Sequence, residues 1–93
     1  MKATVGGRLI AESDDILERG GYQYFPAQAV RHDYVEKAAK TADDLECPHG
    51  VQFYDVVVNG RRYDRAAWVY EAPRPPLQDI AGRFGFWHDV QIG

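Results

Sequence analysis

The run Val56-Val57-Val58-Asn59-Gly60-Arg61-Arg62-Tyr63 constrains this chain more than any other stretch. Asn-Gly between β-branched and aromatic residues is the strongest short-range signal of a β-hairpin, because the tight turn needs positive φ at both central positions. Thr4 to Ile10 predicts another hairpin, with Gly6-Gly7 set between short apolar runs. The two stretches match at Val5 and Val58, Gly7 and Gly60, Arg8 and Arg61, and Glu18 and Glu71. Hairpins select such residues anyway, so the match describes two similar hairpins, not a repeat.

The rest of the chain reads as further short strands. Tyr22 to Phe25 is an aromatic strand closed by Pro26, which cannot donate to a ladder. Ala27 to Val30 reads as a single helical turn, and Tyr34 to Lys40 as an extended segment or loop. Phe53 to Val58 and Ala66 to Tyr70 are strands, the second stopped by Ala72-Pro73-Arg74-Pro75-Pro76, too short for an interdomain linker. Leu77 to Gly82 predicts a short helix near the C-terminus, with Leu77, Ile80 and Ala81 on one face. Phe84, Phe86, Trp87, Val90 and Ile92 close the chain as strand. The sum is a mainly β chain with one helix, expected to form a compact barrel or sandwich.

Ninety-three residues hold one core, so residues 1–93 are expected to form a single domain. The formal charge of −3, with acidic residues gathered in Glu12 to Glu18 and Asp43 to Glu46, argues against nucleic acid as a partner. No run approaches the roughly 20 apolar residues of a membrane span, and the N-terminus lacks a basic segment before an apolar one. A single cysteine makes no internal disulfide, which suits a reducing compartment. A cytoplasmic protein without membrane contact is expected.

The pattern resembles a bacterial family, the domain of unknown function 427, sometimes labelled nucleotidyltransferase-like. The resemblance is carried by Gly7 with Ile10-Ala11-Glu12-Ser13; Tyr24-Phe25-Pro26 with Val30; Cys47-Pro48 and Gly50 with Tyr54; Asn59-Gly60; Ala67-Trp68 with Tyr70 and Pro73; and Ile80-Ala81-Gly82 with Phe86. It runs over essentially the whole chain. It implies a β-tent fold, two small antiparallel sheets leaning together. Relatives of that architecture often carry zinc on two Cys-x-x-Cys pairs, and this chain has neither. Family members usually show Cys-Pro, a variable residue and then Lys-Gly. Here His49 follows Pro48 and Gly50 comes next, one residue short and without the lysine. The resemblance and the strand pattern together give a small β-tent or barrel-like domain of two antiparallel sheets.

Several constellations compete for function. A metal site would draw on Cys47, His32, His49 and His88, but Cys-x-His supplies only two of the four ligands structural zinc takes, so neither metal nor cofactor is expected. Cys47 and His49, two apart, share a face if the segment is extended, which would let the imidazole activate the thiol as a nucleophile. A lone cysteine is also commonly a small core hydrophobe. Nucleotidyl transfer calls for a phosphate-cradling glycine loop or paired carboxylates holding magnesium. Gly6-Gly7 and Gly20-Gly21 precede no helix, and the adjacent pairs Asp14-Asp15 and Asp43-Asp44 read as solvated loops. His32 and His88 read as surface residues, and Arg61-Arg62 as a solvated hairpin flank.

The aromatic residues are more informative. Tyr24, Tyr54, Trp68 and Tyr70 combine apolar faces with polar tips, the mixture that lines pockets and also fills small β cores. Trp68 and Tyr70 alternate onto one strand face and Val69 onto the other. The leading expectation is a cleft between sheets where Tyr24, Tyr54, Trp68 and Tyr70 meet Arg31, Cys47 or His49 and bind a small molecule. The alternatives are an enzyme using Cys47 and His49, and an interaction module, monomer or homodimer, pairing through an exposed edge at Val56 to Val58.

Overall fold

The computed structural model describes residues 1–93. Nine strands follow in order: β1 (Lys2–Val5), β2 (Arg8–Glu12), β3 (Leu17–Arg19), β4 (Tyr22–Tyr24), β5 (Val35–Lys37), β6 (Val51–Val58), β7 (Arg61–Tyr70), β8 (Phe84–Phe86) and β9 (Gln91–Ile92). One α-helix, α1 (Ala42–Glu46), lies between β5 and β6, and 3₁₀ turns occupy Ala27–Ala29, His32–Tyr34 and Gln78–Ile80.

Three hairpins are nucleated alike. β1–β2, β3–β4 and β6–β7 each turn through two residues of positive φ: Gly6-Gly7, Gly20-Gly21 and Asn59-Gly60. Such turns match the right-handed twist of the strands they join. The hairpins belong to three open antiparallel sheets, ordered β2-β1-β9, β3-β4 and β5-β6-β7-β8. The expectation of two sheets is therefore corrected to three, and none closes into a barrel.

The helix is also displaced. Leu77 to Gly82 makes only the 3₁₀ turn Gln78–Ile80 after the proline-rich segment. The α-helix forms at Ala42–Glu46, where Thr41 and Asp44 make a capping box: the Thr41 hydroxyl accepts from the Asp44 N–H and the Asp44 carboxylate from the Thr41 N–H. The C-terminal strand is broken in two, since Trp87 to Val90 turns between β8 and β9.

The four-stranded sheet has a core on each face. Ala67 and Val69 of β7, with Val56 and Val58 of β6, face the larger core, which also holds Ala3, Val5, Ile10, Phe25, Phe84 and Phe86. Trp68, with Val51, faces a smaller core containing Tyr24 and Ile80, edged by Leu17, Phe53, Tyr70 and Trp87. The β3–β4 hairpin sits over that second face. A single bridge joins its end to the main sheet, Phe25 and Phe84 exchanging two N–H···O bonds of 2.9 Å.

Candidate functional site

Trp68 is the centre of the second core. It is 4 % exposed, and three rings surround it at steep angles: Tyr22 at 5.0 Å between centroids, Trp87 at 5.1 Å and Tyr24 at 5.9 Å. Edge-to-face contact places the positive edge of one ring on the negative face of another. Tyr22 and Tyr24 come from the β3–β4 hairpin, Trp87 from the turn after β8, and Tyr70, two residues along β7, packs beside Tyr24 at 6.5 Å. The rings fill the seam between hairpin and sheet, and no cavity opens there.

Within this packing one polar group is left over. The Trp68 indole N–H is shielded from water and reaches no acceptor. A buried donor without a partner carries a desolvation penalty of about 1–3 kcal/mol, and native proteins contain few of them. The nearby Tyr24 hydroxyl lies outside hydrogen-bonding geometry but feels the indole N–H, which favours the phenolate slightly. Burial outweighs that pull and raises the Tyr24 pKa above its ordinary value. Tyr70 is raised as well, by burial first and then by Cys47 and Tyr22 nearby. Both phenols are therefore neutral donors at neutral pH. The arginines around the seam are all engaged: Arg19 with Asp79, Arg83 with Asp15, and Arg65 with Asp44.

A β-bulge on β7 shapes one end of the seam. Pairing shifts between Tyr54↔Ala67 and Val56↔Tyr63, and Arg65, at φ +52°, occupies the bulge. The Asp55 carboxylate accepts the Arg65 N–H at 2.8 Å, and the Arg65 carbonyl accepts the Trp87 indole N–H at 2.6 Å. Trp87, unlike Trp68, is thus satisfied. The Arg65 guanidinium lies 4.0 Å from the Phe53 ring centre and donates to Asp44 at 2.7 Å. The Asp44 carboxyl is lowered to about 2, first by Arg65 and then by the Thr41 N–H. Its side chain is covered, but it lies at the periphery, where these bonds outweigh desolvation. Asp44, read from sequence as a solvated loop residue, instead ties α1 to the bulge.

Of the residues singled out in the sequence, Tyr24, Trp68 and Tyr70 come together, with Cys47 against the same cluster. Tyr54 does not join them. It pairs with Ala67 and packs on the opposite face of the sheet, 4.9 Å from the Phe84 ring. Arg31 is exposed, beyond the Ala27–Ala29 turn, and its backbone N–H donates to Ile10. The cleft expected from all seven residues is therefore corrected to a smaller group on one face. Tyr22, Phe53 and Trp87 complete it, and for Tyr22 the strand alternation with Tyr24 was the available signal.

Cys47 and His49 form the turn into β6, where the Gly50 N–H bonds to the Cys47 carbonyl at 3.2 Å. The His49 Nδ1 accepts the Arg74 N–H at 2.9 Å, which leaves the ring proton on Nε2, and the ring rests against Tyr70 at 5.4 Å. No hydrogen bond joins the Cys47 thiol to the imidazole. No three His, Cys, Asp or Glu side chains converge as metal ligands would. Val56, expected on an exposed edge, is fully buried and pairs with Val35 on one side and Tyr63 on the other. No helix is long and apolar enough to cross a membrane.

Among families of known proteins, residues 1–92 match the one described as a domain of unknown function (DUF427). The match spans nearly the whole chain, and the chain belongs to that family. A search of curated proteins finds no match.

Proposed function

We propose that this member of the DUF427 family is a binding module that takes a small neutral molecule, bearing a hydrogen-bond acceptor, in the aromatic seam between the β3–β4 hairpin and the main sheet. The observation that carries the reading is the Trp68 indole N–H, buried beside the Tyr24 phenol yet without a well-formed hydrogen bond to it or to any other acceptor. An unsatisfied donor selects an acceptor, such as a carbonyl oxygen, over a cation. An anion would be desolvated without a free counter-charge, because each seam arginine already has a carboxylate, so the neutral acceptor is favoured. The walls of Tyr24, Tyr70 and Trp87 suit a flat or compact apolar body. The ligand reaches the indole by displacing Tyr22, the one ring of the group on the exposed hairpin tip.

This reading takes the three- and four-stranded sheets, leaning across the larger core, as the two sides of a β-tent, with the binding seam on the outer face of one. A cytoplasmic setting agrees with the single unpaired cysteine. The test is a thermal-shift screen over metabolites sorted by charge. Neutral carbonyl compounds should raise the melting temperature in proportion to the logarithm of their concentration above Kd. A flat melting temperature across neutral, anionic and cationic compounds overturns the reading.

A further inference from the structure

The β3–β4 hairpin pairs with no other strand of the protein, and its two ends are held differently. Its base is anchored by backbone and by a half-buried side chain. The Phe25–Phe84 bridge closes it, and the Arg83 guanidinium, 18 % exposed, donates to the Asp15 carbonyl at 2.9 Å and to the Asp15 carboxylate at 3.2 Å. A weaker contact from Arg83 reaches the Tyr24 carbonyl at 3.4 Å. The tip, Arg19 to Tyr22, is attached by side chains alone: the Tyr22 ring on Trp68 and, farther off at 6.4 Å, on Trp87, and an ion pair between Arg19 and Asp79 of the Gln78–Ile80 turn. Both partners of that pair are open to solvent, at 38 % and 42 % exposure.

We infer that the hairpin is a lid hinged at Tyr24–Phe25 and latched by Arg19–Asp79, and that its opening lifts Tyr22 off Trp68 and uncovers the indole N–H. The inference rests on the seam as the binding site and supplies its gate. An exposed ion pair contributes little and is screened by salt, so the latch sets a closed state that a modest change can shift. Arg83 and the Phe25–Phe84 bridge hold the base in either state. Ionic strength then controls access to Trp68 without unfolding the larger core, which lies across the sheet.

The test uses no ligand, so it stands or falls apart from the binding reading. In a Trp87→Phe background Trp68 is the sole tryptophan, and acrylamide quenching of its emission reports opening. Asp79→Asn should raise the quenching constant about 1.4- to fivefold, the range expected from losing one exposed ion pair. High salt should raise it similarly in the parent and leave Asp79→Asn unchanged. The exchange Arg19→Asp with Asp79→Arg should restore low quenching, which separates loss of the latch from general loosening. Quenching that ignores Asp79→Asn and salt alike, or is not restored by the exchange, overturns the lid. Salt-sensitive quenching with no ligand found would retain the lid and remove the binding reading; the reverse would leave a site without a gate.

Discussion

The Trp68 indole lies so close over Gly85 that a Cβ added to the glycine would stand 2.6 Å from Cζ2 and 2.7 Å from Cε2. The two residues face each other across β7 and β8. The absence of a side chain at Gly85 therefore fixes where the ring sits, and with it the direction of the indole N–H.

Gly85→Ala should push the indole outward against Tyr22 and cost about 1–3 kcal/mol, the usual range for overpacking. Denaturant unfolding measures the loss. Phe at position 68 lacks the atoms that the new methyl would strike, so Gly85→Ala combined with Trp68→Phe should cost less than the sum of the single changes. Additive costs would show that the contact does not govern the ring.

Trp68→Phe removes an unpartnered donor together with some ring volume, and these effects oppose each other. Its stability should stay within about 1.5 kcal/mol of the parent, whereas Trp68→Ala should lose about 3–5 kcal/mol. Ligand-induced thermal shifts should disappear in both. A Phe variant that keeps its shifts would place binding elsewhere.

Asp44 supplies the acid side of the pH dependence. Its folded pKa of about 2 lies below the ordinary carboxyl value of about 3.9, so its contribution is full above the ordinary value and is lost as pH falls toward the folded one. Melting temperature should decline between those limits in the parent. Asp44→Asn should melt lower at neutral pH and be flatter in that window, because the charge-assisted bond to Arg65 is already gone. Parallel pH profiles for the two proteins would contradict this.

The alkaline side belongs to the tyrosines. Tyr24, Tyr54 and Tyr70 are each raised, chiefly by burial. Their phenols resist ionisation in the fold and ionise freely once unfolded. Stability should therefore fall as pH rises through the ordinary value of about 10. Tyrosinate absorbance should show part of the six tyrosines titrating late, with the late fraction appearing early in denaturant.

The hairpins were legible because turn chemistry is local: Asn59-Gly60 and Gly6-Gly7 announce themselves without tertiary context. So was the facing of Trp68 against Val69. The placing of Tyr54 went astray although the chain carried the means to correct it. A two-residue turn at Asn59-Gly60 pairs Val58 with Arg61, so even positions of β6 share a face with odd positions of β7. The bulge shifts that register by two and keeps the parity, which puts Tyr54 behind the sheet from Trp68. Thr41-Ala42-Asp43-Asp44 likewise carried a capping pattern for α1. The link from Asp44 to Arg65 was not legible, because it depends on an arginine at positive φ inside a bulge that no local preference calls for. Nor was the unpartnered indole N–H, since satisfaction of a donor is a property of the packed seam and not of any segment.

The Trp68 indole N–H resonance, followed by isotope-edited NMR during titration with a small neutral cyclic amide and with carboxylate and ammonium compounds of similar size, reports whether the seam takes a neutral acceptor. The amide should move the signal downfield and slow its exchange with water, as a new hydrogen bond does, while the charged compounds leave it in place. An indole signal that stays fixed through every titration, or one that answers the charged compounds alone, would contradict a seam built around an acceptor for Trp68.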